Sequence, residues 1–355
     1  MSRENIEKTT KSRGRKILNI LLKYGLPLII SVGLCYYLFR EMDFARMVEV
    51  IRTDCNFSLI LLSMAIGILG FVVRAARWQI QLRASGVDAP LHAVTYSIVG
   101  TYAVNIVFPR LGEIWRTEYI ARRQKAPFAT ILGSMIADRC ADTLTVFLLL
   151  VATFFLAGPA VNGFIDKYPE LYDSIKGVVA SPYTYIIICV CVVAIWLLMR
   201  CPRGGFVGKI QNVTKSLVGG FTAIFRMKGK ALWIFLALLL WFSYFAQMWI
   251  AFYAFDYTRQ ILETNGLIAV LVCFTLSSIS MGIPSNGGFG PYQLAVIFGL
   301  ECFVSSIDMV KAGAFANLVL GAQTLITIIC GLITFILIAL ENRRRSRSEA
   351  SPQNQ

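Results

Sequence analysis

Long apolar runs broken by short polar stretches set the rhythm of this 355-residue chain. A helix rises 1.5 Å per residue, so about 20 mostly apolar residues cross the roughly 30 Å hydrocarbon core of a bilayer. Six runs approach that length, at about 21–39, 57–73, 129–157, 183–199, 231–255 and 312–340. Two more, 94–108 and 267–283, are apolar but short, and each ends in a turn containing Pro and Gly. The pattern predicts an all-α integral membrane protein with about six full transmembrane helices and two re-entrant helical hairpins. Residues 1–20 form a basic tail, 21–340 a single membrane domain, and 341–355 a second basic tail.

Composition agrees with the pattern. Hydrophobic residues make up 57% and charged residues 15%, with a mean hydropathy of +0.65. Soluble chains average about 45–50% apolar and 25% charged, so disorder is excluded and a soluble enzyme is disfavoured. The net charge of +14 would suit nucleic acid, but uncharged runs separate the basic clusters. A membrane protein with positive cytoplasmic loops accounts for them, and no nucleic-acid partner is expected. The first run follows Lys11, Arg13, Arg15, Lys16 and Lys23 and ends in Tyr36, Tyr37, Leu38 and Phe39. No small residues mark a cleavage site there, which reads as an uncleaved signal anchor.

Sorting basic residues by loop sets an expected topology. With both short runs re-entrant, 26 of the 34 fall in the stretches 1–23, 74–92, 110–128, 200–230 and 341–355, and only 7 in the opposite loops. That places both termini in the cytoplasm, as expected for a multi-pass protein of the bacterial inner membrane. Treating 94–108 as a full crossing would instead put Arg116, Arg122, Arg123 and Lys125 outside.

Shifting the chain on itself by 175 residues lays Pro109-Arg110-Leu111-Gly112 on Pro284-Ser285-Asn286-Gly287. Each half then reads as span, span, re-entrant segment, span, over about 21–157 and 183–340. Three crossings per half is odd, so the second repeat is inverted and the hairpin tips can meet near mid-membrane. Inverted repeats with broken helices and a midplane site are common in secondary transporters.

The residues able to carry chemistry lie at those breaks. Asn105, Arg110, Glu113 and Arg116 place an amide, two guanidiniums and a carboxylate at the first turn, the charged three at helical spacing on one face. The third long run holds Asp138, Arg139 and Asp142, and each mid-span charge costs about 2.5–3.5 kcal/mol on insertion scales. Ser134, Asp138, Asp142 and Thr145 make one polar stripe, with Arg139 three residues from Asp142. At the second turn Gly287, Gly288 and Gly290, beside Asn286 and Gln293, let backbone approach a ligand and aim a helix N-terminus at it. Simple close packing would use the same glycines. Arg74, Arg77 and Trp78 read as headgroup anchors at the end of the second run, and 203–230 as a basic amphipathic helix on the inner leaflet. The nine cysteines lack a C-x-x-C pair, Cys189 and Cys191 read as apolar packing residues, and His92 is the sole histidine. Neither a metal site, a cofactor nor histidine catalysis is expected.

In order and spacing, Asn105-x-x-x-Pro109-Arg110-x-Gly112-Glu113-x-x-Arg116, Asp138-Arg139-x-x-Asp142 and Pro284-x-x-Gly287-Gly288-x-Gly290 resemble the membrane domain of the lysylphosphatidylglycerol synthase/flippase family. The resemblance covers nearly the whole chain beyond the N-terminal tail and implies a flippase-like fold with two re-entrant hairpins. Asn286 stands where the family often has Pro, and Gln293 where many members carry Glu. The second departure removes a charge from the second hairpin and argues against a proton-coupling role there. About fifteen residues follow the last run, so aminoacyl-lipid synthesis is not expected from this chain.

The expected function is flippase-like transport of a phosphate-containing lipid: a phospholipid, an aminoacyl-phospholipid or a polyprenyl-phosphate carrier. Arg110, Arg116 and Arg139 would contact the phosphate. Asp138, Asp142 and Glu113 would balance them or bind an amine headgroup, and protonation of Asp138 or Asp142 is available for coupling. The alternative is a non-transporting protein that binds lipid or scaffolds a lipid-modifying enzyme.

Overall fold

The computed structural model describes residues 44–167, 205–283, 285–304 and 306–350, together with 169, 170, 173 and 177. The apolar runs at 21–39 and 183–199, the tail at 1–20, Cys189, Cys191 and Pro284 lie outside the described residues.

Among the described residues the protein is helical, with one isolated bridge between Cys55 and Phe255. The first half contains α1 (Phe44–Asp54), α2 (Phe57–Ala84), α3 (Leu91–Val107), α4 (Leu111–Arg123), α5 (Phe128–Leu156) and α6 (Gly158–Lys167). The second contains α7 (Gly205–Arg226), α8 (Lys230–Ala254), α9 (Asp256–Asn265), α10 (Leu267–Ser280), α11 (Pro291–Glu301) and α12 (Met309–Ala350). Four of them, α2, α5, α8 and α12, are long and apolar enough to cross a membrane. A fifth crossing results if α9 and α10, bent by 115° at Gly266, count as one broken span. The last helix runs on through Ala350, into the stretch read as a basic tail.

Local chemistry marks the helix starts. Asn56 Oδ1 accepts the Ser58 N–H at 3.1 Å, and Asp308 Oδ1 accepts those of Val310 and Lys311 at 3.1 Å. Both satisfy N–H groups that a helix cannot satisfy internally. Pro90 and Pro127 precede α3 and α5, where a missing N–H and a fixed φ cost nothing.

The two short apolar runs do become helices that turn back. In the first hairpin, α3 and α4 are joined by Phe108-Pro109-Arg110, and their contact is too close for side chains on one wall. A Cβ on Gly112 would overlap the Thr101 carbonyl, and one on Gly100 the Trp115 ring. In the second, α10 and α11 are joined by the glycine-rich turn.

Packing is organised around two cores. One gathers Trp78, Leu82, Val94, Ile98, Ile120 and Ile131 from α2 to α5. The other is built mainly from α8 to α12 and includes Phe252, Phe255, Val296, Leu300 and Phe315. Between them α2 and α8 run antiparallel: Asn56 N–H donates to the Ala254 carbonyl at 2.7 Å near one end, and the Arg77 guanidinium lies 5.6 Å from the Trp233 ring near the other. Leu61, Leu69, Leu144, Phe155, Leu238 and Ile336 face outward, as a hydrocarbon solvent requires. The helix expected on the inner leaflet forms as α7, and it packs backbone to backbone on α5. A Cβ on Gly133 would strike the Leu217 carbonyl, and one on Gly220 the Thr130 carbonyl.

Candidate functional site

The arginines of α2 are central to the site. Arg74 and Arg77 are 4% and 0% exposed and both reach across to α5. Arg77 Nη2 donates to Asp138 Oδ1 at 2.5 Å and to Asp142 Oδ1 at 2.7 Å. Arg74 pairs with Asp142, and its Nη2 stands 3.5 Å from Asp138 Oδ2. The expected role of these arginines and Trp78 as headgroup anchors is therefore corrected: all three are buried. Hydropathy falls at Arg74 although the helix continues to Ala84, so the end of the apolar run was not the end of the span. A legible signal existed: two arginines three apart on one helix, and two aspartates four apart on another.

From α4, Arg116 joins the same carboxylates. It is 1% exposed, its Nη2 lies 3.7 Å from Asp138 Oδ2, and its guanidinium sits 4.1 Å from the Trp78 ring centre, a cation–π geometry. Arg139 does not pair with Asp142, as its spacing had suggested. Asp142 is held by Arg74 and Arg77, and Arg139 Nη2 donates to Glu113 Oε1 at 2.7 Å. Asn105 closes the arrangement from α3: its Nδ2 donates to Glu113 Oε2 at 3.2 Å, and its Oδ1 accepts the Gly112 N–H at 2.8 Å. That amide ties the hairpin's own turn to the charged network.

Four guanidiniums and three carboxylates therefore meet where α2, α4 and α5 pack, a net charge of +1 when all are ionised. Six of their nitrogens (Arg74 Nε, Arg77 Nε and Nη1, Arg116 Nε and Nη2, and Arg139 Nε) are buried without a hydrogen-bond partner. Ser134, one turn before Asp138, is fully buried with its Oγ in the same state. A buried donor left unsatisfied costs about 1–3 kcal/mol, and more when charged, so each of these groups is energetically exposed in this arrangement. Access is graded: Arg77 and Asp138 are closed off, while the side chains of Asp142, Glu113 and Arg139 are 14%, 13% and 32% exposed.

The remaining predicted residues form a junction between the hairpins. Arg110 does not share the Glu113–Arg116 face. It occupies the N-cap of α4 with φ 64°, and its exposed guanidinium donates from Nη2 to the Gly282 carbonyl at 2.6 Å. Gly287 faces Ile106 from the other side, its Cβ position 3.7 Å from Ile106 Cγ1. The tips touch, as the sequence led us to expect. Gly287, Gly288 and Gly290 have φ of 63°, 88° and 89°, a region open to glycine and costly to most other residues. The Gly290 N–H is not left for a ligand: Gln293 Oε1 accepts it at 2.7 Å, and Gln293 Nε2 donates to Asn317 Oδ1 on α12 at 3.2 Å. The Asn286 carbonyl accepts the Phe289 N–H at 3.2 Å within the same turn. Among the predicted residues, then, Asn105, Glu113, Arg116, Asp138, Arg139 and Asp142 converge in the charged network. Arg110, Asn286, Gly287, Gly288, Gly290 and Gln293 lie at the tip junction.

Several long apolar helices, outward-facing hydrocarbon side chains and an enclosed ion network define a multi-pass membrane protein. The chain belongs to the family of the lysylphosphatidylglycerol synthase TM region, whose model matches residues 25–331. It is also similar to the UPF0104 membrane protein MJ1595 of Methanocaldococcus jannaschii, with 22% identity over 340 residues, covering 90% of this chain and 96% of that one. No solved structure matches it.

Proposed function

We propose that the protein is a flippase-like transporter that moves a phosphate-containing lipid across the bacterial inner membrane: a phospholipid, an aminoacyl-phospholipid or a polyprenyl-phosphate carrier. The observation that carries this reading is the cluster of buried Arg74, Arg77 and Arg116 with the partly exposed Arg139, with its surplus positive charge and its unsatisfied guanidinium nitrogens. Ionised groups at membrane depth are costly, and they are typical of substrate or ion pathways. Arg116 and Arg77 bind the phosphate in this reading, Arg139 and Glu113 form the mouth, and Asn105 keeps the first hairpin registered against them. No catalytic role is assigned to any residue, and neither a cofactor nor a metal is required.

An inverted repeat would supply the mechanism. In this reading α2, α3, α4 and α5 correspond, about 175 residues on, to α8, α10, α11 and α12. The mates α2 and α8 pack antiparallel, as inversion demands. With the two halves inverted, six crossings and cytoplasmic termini, one half would rock against the other about the touching tips.

Reconstitution into liposomes with fluorescent phosphatidylglycerol, phosphatidylethanolamine, lysylphosphatidylglycerol and a polyprenyl phosphate tests the reading. Translocation lost in Arg116→Ala and retained in Arg83→Ala, an exposed arginine paired with Asp88, is the expected result. No translocation of any of the four overturns transport, and lipid binding without translocation then points to the binding or scaffolding protein.

A further inference from the structure

The charged cluster has more donors to spare than there are acceptors to match. Each of its carboxylates is engaged: Asp138 by Arg77, Arg74 and Arg116, Asp142 by Arg74 and Arg77, and Glu113 by Arg139 and Asn105. The neighbouring aromatic rings, the other groups that could receive an ammonium, already face guanidiniums. Arg116 lies over Trp78 at 4.1 Å, Arg77 over Trp233 at 5.6 Å and Arg74 over Tyr102 at 6.0 Å. What remains unsatisfied on these helices is mostly donor: six guanidinium nitrogens, against the Ser134 hydroxyl one turn from Asp138 and the Gln81 amide one turn beyond Arg77, each of which can donate and accept.

We infer that the site takes a phosphate ester bearing net negative charge and discriminates against headgroups that carry an amine. The inference rests on the lipid-transport reading and narrows its substrate class to anionic lipids, although the family description names a lipid with a lysyl group. Phosphate oxygens are acceptors only and match planar guanidinium donors in bidentate geometry. Their charge offsets the +1 of the cluster. An ammonium brings three further donors and a like charge to a place where the carboxylates and π-faces are taken, a repulsive element that selects by exclusion. Glu113 sets the degree of selection, because it neutralises Arg139 at the partly exposed mouth.

The test is binding in a neutral detergent, read by native mass spectrometry, and it is separate from translocation. The probes are phosphatidylglycerol, phosphatidylethanolamine, lysylphosphatidylglycerol and inorganic phosphate. Phosphatidylglycerol is expected to bind about tenfold or more tightly than either amine-bearing lipid. Glu113→Gln frees Arg139 and is expected to tighten phosphatidylglycerol binding about fivefold, a gain that a folding defect does not produce. Arg116→Lys keeps the charge, removes the fork and is expected to weaken that binding. Equal binding of amine-bearing lipids, or weaker phosphatidylglycerol binding in Glu113→Gln, overturns the inference and leaves lipid transport standing. Inorganic phosphate binding as tightly as phosphatidylglycerol overturns the lipid as source of the anion. Selective binding with no translocation overturns transport and leaves the selectivity intact.

Discussion

The two hairpins meet at their tips and are built from opposite materials. The first, α3–α4, makes its turn with a proline and an arginine at φ 64°, and sends Asn105, Glu113 and Arg116 into the charged network. The second, α10–α11, makes its turn with three positive-φ glycines and caps α11 with a neutral amide that also ties it to α12. One hairpin contributes charge and the other geometry. Two helix–turn–helix hairpins thus present a charged wall on one side and a neutral, glycine-built turn on the other, and substitutions should have different consequences in each.

The largest effect is expected at the anchor of the charged side. Asp138→Ala leaves Arg74, Arg77 and Arg116 facing one another with a partner removed, and should cost about 3–5 kcal/mol, read as a fall in thermal midpoint in detergent. A midpoint unchanged from the parent would mean that the cluster does not hold the bundle together. Next is the contact inside the first hairpin. In Gly112→Val the side chain must displace the Thr101 carbonyl and Asn105 Oδ1, for about 1–3 kcal/mol, with exposure of Glu113 to a water-soluble carbodiimide as a second readout.

On the neutral side effects should be smaller. Gln293→Ala removes the acceptor of the Gly290 N–H and the donor to Asn317, and should cost about 1–2 kcal/mol without altering lipid selectivity. A change in selectivity would give the second hairpin a share in ligand recognition. Smallest of all is Arg110→Gly. Relief of a positive-φ side chain offsets the lost bond to the Gly282 carbonyl, so stability should hold within about 1 kcal/mol. Its effect should instead appear as slower translocation, because this bond spans the tips.

How far these differences were legible varies with the physics behind each. The α3–α4 turn could be read because Pro109, Gly112 and the charges sit within a dozen residues at helical spacing. The role of Gln293 could not, because a cap is visible only once the turn before it is folded. Arg74 and Arg77 were assigned to the headgroup region since hydropathy scores a residue by itself. Two charges that would be prohibitive alone are tolerated when two carboxylates on another helix arrive beside them. Arg139 was matched to Asp142 by sequence spacing, whereas the fold offers Asp142 two buried arginines and leaves Arg139 to Glu113.

By itself the sequence determined the solvent of this protein, its helical class, the four long helices described, the sites of both turns and the residues worth attention. These follow from composition and short-range periodicity, which act along the chain. Only the tertiary structure decided who pairs with whom, and that Arg74 and Arg77 join Arg116 and Arg139 around the three acids to give the cluster a net +1. Ion pairing and burial depend on side chains brought together from helices dozens of residues apart. In a medium where an unmatched charge costs several kcal/mol, that partnering sets the chemistry of the site.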